Sequence, residues 1–217
     1  MNFPILSSIT LLPALGALFI LFSKSEKNKN RNAINLSLFT SGVNLFLTLF
    51  LWYSFDKSFV GFQFIEEQNW ISGFIKFKFG IDGISILFII LTAFITPICI
   101  ISCINSVKIR LKEFLIAILI LETFMIGVFC SLDLVVFYIF FEAGLIPMFL
   151  IIGIWGGPRR VYAAFKFFLF TLLGSVLMLV AIISIYWITG TTDVTQIFEI
   201  KIPVINKIPP PVLVTLL

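Results

Sequence analysis

The sequence of residues 132–179 reads LDLVVFYIFFEAGLIPMFLIIGIWGGPRRVYAAFKFFLFTLLGSVLML. It contains most of two apolar runs, which we place at 133–155 and 161–188, with the short polar segment 156–160 between them. A helix of about 20 residues crosses the hydrocarbon core of a bilayer. Apolar and polar residues do not alternate here as they do in the strands of a membrane barrel. The stretch therefore predicts two antiparallel transmembrane helices joined by a short loop.

The chain as a whole is strongly apolar, since 60% of its 217 residues are hydrophobic and 12% are charged. A soluble domain carries roughly 25% charged residues, and the mean hydropathy of +1.14 is correspondingly high. Further spans are predicted at 4–22, 34–53, 83–103 and 114–131. The fold class expected is thus an all-α, polytopic transmembrane bundle of about six spans, in one membrane domain over residues 1–198.

Loop charges predict the orientation of the bundle. Nine basic residues follow the first, third and fifth spans, whereas five follow the second, fourth and sixth, in longer segments. Basic residues concentrate on the cytoplasmic side of a membrane, so we expect the N-terminus outside. We read the net charge of +4 as a consequence of these loops, and not as a sign of a nucleic-acid partner. The nine are Lys24, Lys27, Lys29, Arg31, Lys108, Arg110, Lys112, Arg159 and Arg160.

Several kinds of chemistry are excluded by what the chain contains. Its three cysteines, Cys99, Cys103 and Cys130, lie in apolar runs, and it has no histidine. An iron–sulfur cluster needs four protein ligands, so this chain cannot hold one alone. Neither glycine-rich fingerprint for nucleotide phosphates occurs. We therefore expect no cofactor-binding site and no metal site in this chain.

Glu142 is the most informative charged residue within a predicted span. It follows Asp133 by nine residues, and at 1.5 Å per residue it lies about 14 Å into the span, near the midplane. Pro147 donates no backbone hydrogen bond and so frees the carbonyl of Ala143 close by. Burial disfavours an ionised carboxylate and a neighbouring cation favours it, so a group between these influences can cycle its proton. The alternative is a glutamate that only hydrogen-bonds neighbouring helices.

Glu122 and Lys166 are the other charged residues within spans. An ionised group at mid-bilayer costs about 2.5–3.5 kcal/mol on insertion scales, and such groups often mark ion or proton paths. Glu122, near the middle of its span, is expected to point inward in either a structural or a proton-carrying role. Lys166 either extends to the membrane surface or serves as a relay or partner for Glu142.

The stretch 132–179 closely resembles the antiporter-like membrane subunit, called chain M or subunit 4, of proton-pumping NADH:ubiquinone oxidoreductase (complex I). FGIDGIS at 79–85 and ETFMIGVF at 122–129 are similar to the same family. The resemblance covers roughly residues 1–198. The FEAGLIPM and IGIWGG blocks carry it, because they are far more specific than hydropathy.

The resemblance implies proton translocation, with Glu142 as the key residue and Lys166 as a residue of less certain role. Glu122 stays a candidate because of its position within a span. It implies a non-redox subunit of the respiratory enzyme, embedded in lipid among the other membrane-arm subunits. NADH, flavin, iron–sulfur clusters and ubiquinone would then belong to partner subunits. A bacterial inner membrane is favoured, because KFFLFTLLGSVLML resembles bacterial members most, and the mitochondrial inner membrane is the alternative.

The tail departs from the family pattern. Family members are longer, and their seventh helix carries a lysine thought to pair with the glutamate at the position of Glu142. Here residues 199–217 contain Pro209, Pro210 and Pro211 and are expected not to match. We therefore expect a truncated or split form that is inactive alone. The alternatives are a subunit of a cation/proton antiporter of the same superfamily and a non-catalytic remnant.

Overall fold

The computed structural model describes residues 4–22, 29–59, 61–71 and 75–199. Six helices in this part of the chain are long and apolar enough to cross a membrane, which confirms the predicted bundle. In chain order the elements are α1 (Ile5–Phe22), α2 (Lys29–Ser54), β1 (Gln63–Ile71), β2 (Ile75–Ile81), α3 (Ser85–Ser106), α4 (Leu111–Cys130), α5 (Leu134–Trp155), α6 (Arg160–Thr189) and α7 (Val194–Glu199).

The central helix of the bundle is α4. It packs against α1, α2, α3 and α5, whereas α6 lies at the edge and packs mainly against α5. Small residues allow the closest approaches: a Cβ atom on Gly16 of α1 would lie 2.4 Å from Thr40 of α2. The helices α5 and α6 are the least buried of the six. Their apolar surfaces are therefore mostly open in the chain by itself.

A two-stranded antiparallel hairpin connects α2 to α3. The sequence patterns above predict helices only, so the hairpin is an addition to the all-α bundle. Phe79 of β2 is buried and packs near Phe77 and Phe140, at ring-centroid distances of 4.4 and 5.9 Å. The hairpin thus extends the hydrophobic core at one end of the bundle.

Hydrogen bonds tie this hairpin to the starts of three helices. The carboxylate of Glu66 in β1 accepts from the backbone N–H groups of Leu6 and Ser7, at 2.7 and 3.0 Å, and so caps α1. The carbonyl of Lys78 in β2 accepts from the backbone of Leu132, just before α5. The Lys78 ammonium donates to Asp193, just before α7, at 2.7 Å.

The observed helices match the predicted spans closely, with one larger difference. Helix α2 begins at Lys29 and not at 34, because its polar first turns continue the helix beyond the apolar run. The cytoplasmic candidates Lys24 and Lys27 lie outside the described residues. So does the tail from residue 200 onward, which includes the run of three prolines at 209–211.

Candidate functional site

The position of Glu142 is set by the start of α5. Asp133 caps this helix, because its Oδ1 accepts from the backbone N–H groups of Val135 and Val136 at 2.8 and 3.2 Å. Its other carboxylate oxygen accepts from the Thr192 hydroxyl at 2.6 Å. With the first turn fixed, the helix carries Glu142 about 14 Å further along its axis.

Glu142 is half-buried and lies on the side of α5 that faces α6. One carboxylate oxygen, Oε1, is buried and has no hydrogen-bond partner among the described residues. Tyr138, one turn earlier on α5, interacts through its side chain with both Glu142 and Ser175 of α6. Ser175 is 3% exposed. A carboxylate, a phenol and a hydroxyl therefore meet between two transmembrane helices.

Pro147 lies inside α5 and is buried. Because proline has no backbone N–H, the carbonyl of Ala143 loses its helical donor. Ala143 directly follows Glu142 in the chain. The freed carbonyl is a backbone acceptor inside the membrane span that can bind water or a protonated group.

Glu122 lies in a different part of the bundle. It is 2% exposed on α4, and its Oε1 accepts a hydrogen bond of 2.8 Å from Nδ2 of Asn44 on α2. The second carboxylate oxygen of Glu122 and the amide oxygen of Asn44 are buried without partners among the described residues. The contact joins two membrane-spanning helices through polar groups.

Asn44 belongs to a buried polar row that sequence reasoning missed. Ser37, Ser41, Asn44 and Thr48 of α2 are all 0% exposed. Their spacings of four, three and four residues place them on one helix face. This periodicity was visible in the sequence, and it is the signal that could have identified the face of α2 directed into the bundle.

Lys166 does not join either glutamate. Its side chain is exposed on α6, and its ammonium lies 6.0 Å from the centroid of the Tyr162 ring. In the part of the chain that the structure describes, no ion pair links it to Glu142. The three candidate residues therefore occupy three places: the α2–α4 contact, the α5–α6 contact and the open surface of α6.

Comparison with known proteins gives two family matches. Residues 10–128 match the family model described as NADH-ubiquinone oxidoreductase chain 4, amino terminus. Residues 131–213 match the transmembrane family described as NADH:quinone oxidoreductase/Mrp antiporter. Together the two matches cover the six helices, and the second extends past residue 198, where the resemblance was expected to end.

Individual relatives agree with these matches. NADH-quinone oxidoreductase subunit M of Rhodobacter capsulatus is 51% identical over 201 residues, which are 92% of this chain and 39% of the relative. NADH-ubiquinone oxidoreductase chain 4 of Marchantia polymorpha is 49% identical over 190 residues, which are 87% of this chain and 38% of that relative.

The fold is similar to a chain in a solved structure of respiratory complex I from Thermus thermophilus with bound NADH. The TM-score is 0.76 and the sequence identity 28%, over 89% of this chain and 39% of that one. This chain thus spans about two fifths of the length of the relatives it matches. It belongs to the family of NADH-ubiquinone oxidoreductase chain 4, and it corresponds to an amino-terminal part of that subunit.

Proposed function

We propose that this chain is part of a proton-translocating membrane subunit of complex I, coupled to electron transfer from NADH to quinone. Family membership supports the assignment, as do relatives named as subunits of NADH-quinone oxidoreductase. The proposed functional unit is a single membrane domain over residues 1–198. The redox steps would take place in partner subunits, which would hold the flavin and the iron–sulfur clusters and bind NADH and ubiquinone.

The observation that carries this proposal is the buried oxygen of Glu142, which has no hydrogen-bond partner in the described part of the chain. A carboxylate near mid-membrane with an unsatisfied oxygen can gain a proton, or a new hydrogen-bond donor, at low cost. Tyr138 and Ser175 offer hydroxyl groups that can pass a proton to or from it. In this proposal Glu142 is the titrating group, and the two hydroxyls position it and relay its proton.

Glu122 and Lys166 have secondary roles in the proposal. Glu122 is a second proton-binding carboxylate, separated from Glu142 because it lies at the contact of α2 with α4. Lys166 is a cation on the open side of α6, so it is available to groups that pack there. Other membrane-arm subunits are the proposed partners of this surface.

The chain is a multi-pass membrane protein, and we propose that its N-terminus lies outside. The distribution of basic loop residues supports this orientation. We retain the bacterial inner membrane as the proposed location, with the mitochondrial inner membrane as the alternative. Relatives from a bacterium and from a plant are both similar to the chain.

A subunit of a cation/proton antiporter is the second candidate function. The description of the family that matches residues 131–213 includes the Mrp antiporter, which supports this alternative. Purification of the tagged chain from its native membrane separates the two. Quinone-reducing subunits that co-purify with it support the complex I assignment, whereas an assembly without them supports the antiporter.

The role of Glu142 is tested in the assembled complex with Glu142→Gln, which keeps size and hydrogen bonding but removes the titrating proton. We expect proton pumping to fall sharply while assembly is unchanged. Glu113→Gln is the matched control, because Glu113 is exposed at the start of α4 beside Arg110. Normal pumping in the Glu142 variant would reject the role.

A further inference from the structure

We propose that Glu122 and Asn44 form a proton-storing pair inside the membrane, in which burial keeps Glu122 a neutral carboxylic acid and Asn44 accepts its proton. The pair is defined by the hydrogen bond of 2.8 Å from Asn44 Nδ2 to Glu122 Oε1. Both side chains are almost completely shielded from solvent, at 0% and 2% exposure. This inference concerns the resting protonation of one residue, so it does not depend on the chain's role in complex I.

Hydrogen-bond accounting is the first argument. An amide has donors and an acceptor, whereas an ionised carboxylate only accepts. With Glu122 ionised, its Oε2 and the Oδ1 of Asn44 are both left buried without partners, as the described residues show. Buried polar atoms in proteins are almost always hydrogen-bonded. A single proton on Glu122 Oε2 supplies a missing donor, and the Oδ1 of Asn44, on the amide that already contacts Glu122, is a vacant acceptor.

The argument does not depend on how the amide is oriented. Exchange of nitrogen and oxygen in the Asn44 side chain would place two acceptors opposite each other if Glu122 were ionised. The contact would then be repulsive, and a proton on the carboxyl group would again be needed to form a bond. In both orientations the acid can hydrogen-bond to the amide, whereas the anion can do so only through the amide nitrogen.

Among the residues that the structure describes, no charged group lies against Glu122 to stabilise an anion. Helix α1 has no titratable side chain, and α3 contributes the thiol of Cys99, which lines a cavity of about 440 Å³ with Glu122. Glu142 of α5 lies beside Tyr138 and Ser175 instead. The remaining titratable groups on α2 and α4 lie near the helix ends: Lys29, Arg31, Tyr53, Lys112, Glu113 and Cys130.

No ion pair to Glu122 occurs within the described residues. A buried charge without a cation is costly, and a carboxyl group in such a place takes up a proton instead. The hydrogen-bond pattern and the electrostatics therefore favour the same neutral state. Asn44 acts as a positioning residue, because its Nδ2 donates to Glu122 Oε1 and holds the side chain against α2.

Infrared spectroscopy of the full chain in its assembled membrane complex tests the pair. A protonated carboxyl group has a carbonyl stretching band that a carboxylate lacks. We expect such a band in the resting wild type and its loss in Glu122→Gln. In Asn44→Leu we expect the band at higher frequency, because the carbonyl no longer accepts the amide hydrogen bond. Asn44→Ser, whose shorter side chain cannot reach, should show the same shift if the leucine variant does not assemble.

Asn35→Leu is the matched control, because Asn35 is an exposed asparagine on the same helix. Its spectrum should equal that of the wild type. The proposal is overturned if Glu122→Gln removes no carboxylic-acid band. It is equally overturned if the band remains at its wild-type frequency when Asn44 is replaced by leucine or serine.

Discussion

Lys78 shows how a single residue can differ from its sequence-based interpretation. We counted it as a loop charge, but its ammonium is buried and donates to Asp193 and Thr195, both at 2.7 Å. Removal of one partner from a buried ion pair typically costs about 3–5 kcal/mol, because the other charge is left uncompensated. The residue therefore has a structural role that its position in a loop did not suggest.

We predict that Lys78→Met lowers the thermal stability of the assembled subunit strongly, since Asp193 would remain buried without its cation. Lys57→Met should have little effect, because Lys57 is exposed near the Trp52 ring. Thermal unfolding of the purified complex measures both. The double variant Lys78→Met, Asp193→Leu should recover much of the loss, and equal stability of the single variant and the wild type would contradict the structural role.

The same pair gives the stability a defined pH dependence. Burial raises the pKa of Asp193, but hydrogen bonds from Lys78 and Thr195 and the positive charge of Lys78 lower it further, to below its ordinary value. A carboxyl group whose pKa is lowered on folding stabilises the fold above its unfolded pKa of about 3.9. That contribution is lost as the pH falls through the folded pKa. Unfolding temperatures measured on acidification should therefore fall less in Asp193→Asn than in the wild type.

At the scale of the elements, the contact between α4 and α5 depends on one glycine. A Cβ atom on Gly127 would lie 2.4 Å from the ring of Phe140, far closer than two carbon atoms can approach. The large ring occupies the space that the missing side chain leaves. This contact fixes how α5, and hence Glu142, sits against the central helix.

We predict that Gly127→Ala destabilises the bundle by about 1–3 kcal/mol, the usual cost of overpacking a close-packed contact. Gly174→Ala is the control, because no atom lies within 4 Å of the added carbon on α6. Denaturation in detergent micelles measures both. Phe140→Leu combined with Gly127→Ala should restore part of the stability, and an unaffected Gly127→Ala protein would show that the helices separate freely.

At the scale of the whole molecule, the hairpin and the loop at 107–110 lie at opposite ends of the bundle. Helix α3 begins next to the hairpin and ends at Ser106, so the loop that follows it lies at the other end. In the orientation that we propose from the positive-inside tendency, the hairpin lies on the outer side of the membrane and the loop at 107–110 on the cytoplasmic side. The orientation of one helix determines that of all six, because each transmembrane helix runs opposite to the previous one.

Cysteine labelling tests this orientation in intact cells with a thiol reagent that does not cross membranes. We expect Ser58→Cys to be labelled at once and Lys108→Cys only after the membrane is permeabilised. Both positions are exposed in the structure. The wild type supplies the background from its three native cysteines, which lie within α3 and α4. The reverse pattern would invert the topology.

In the hairpin, local sequence indicates that a strand forms but does not show which segment it pairs with. Residues 75–81 read IKFKFGI, in which apolar residues alternate with Lys76, Lys78 and Gly80. Such alternation is typical of a strand, but the segment is short and its partner strand has a less regular pattern. Its pairing with β1 is decided by the tertiary structure, because the register depends on which side chains can be buried at this end of the bundle.

By itself the sequence determined the six membrane helices, because the length and hydropathy of each run decide whether it can cross a bilayer. It also showed that Glu122 and Glu142 are charged residues inside membrane spans, because a charge within an apolar run is visible without any knowledge of contacts. It could not identify Asn44 as the partner of Glu122, at a separation of 78 residues, or Asp193 as the partner of Lys78, at 115. Only the tertiary structure decided those pairings, because hydropathy is a property of neighbours in sequence and a hydrogen bond is a property of neighbours in space.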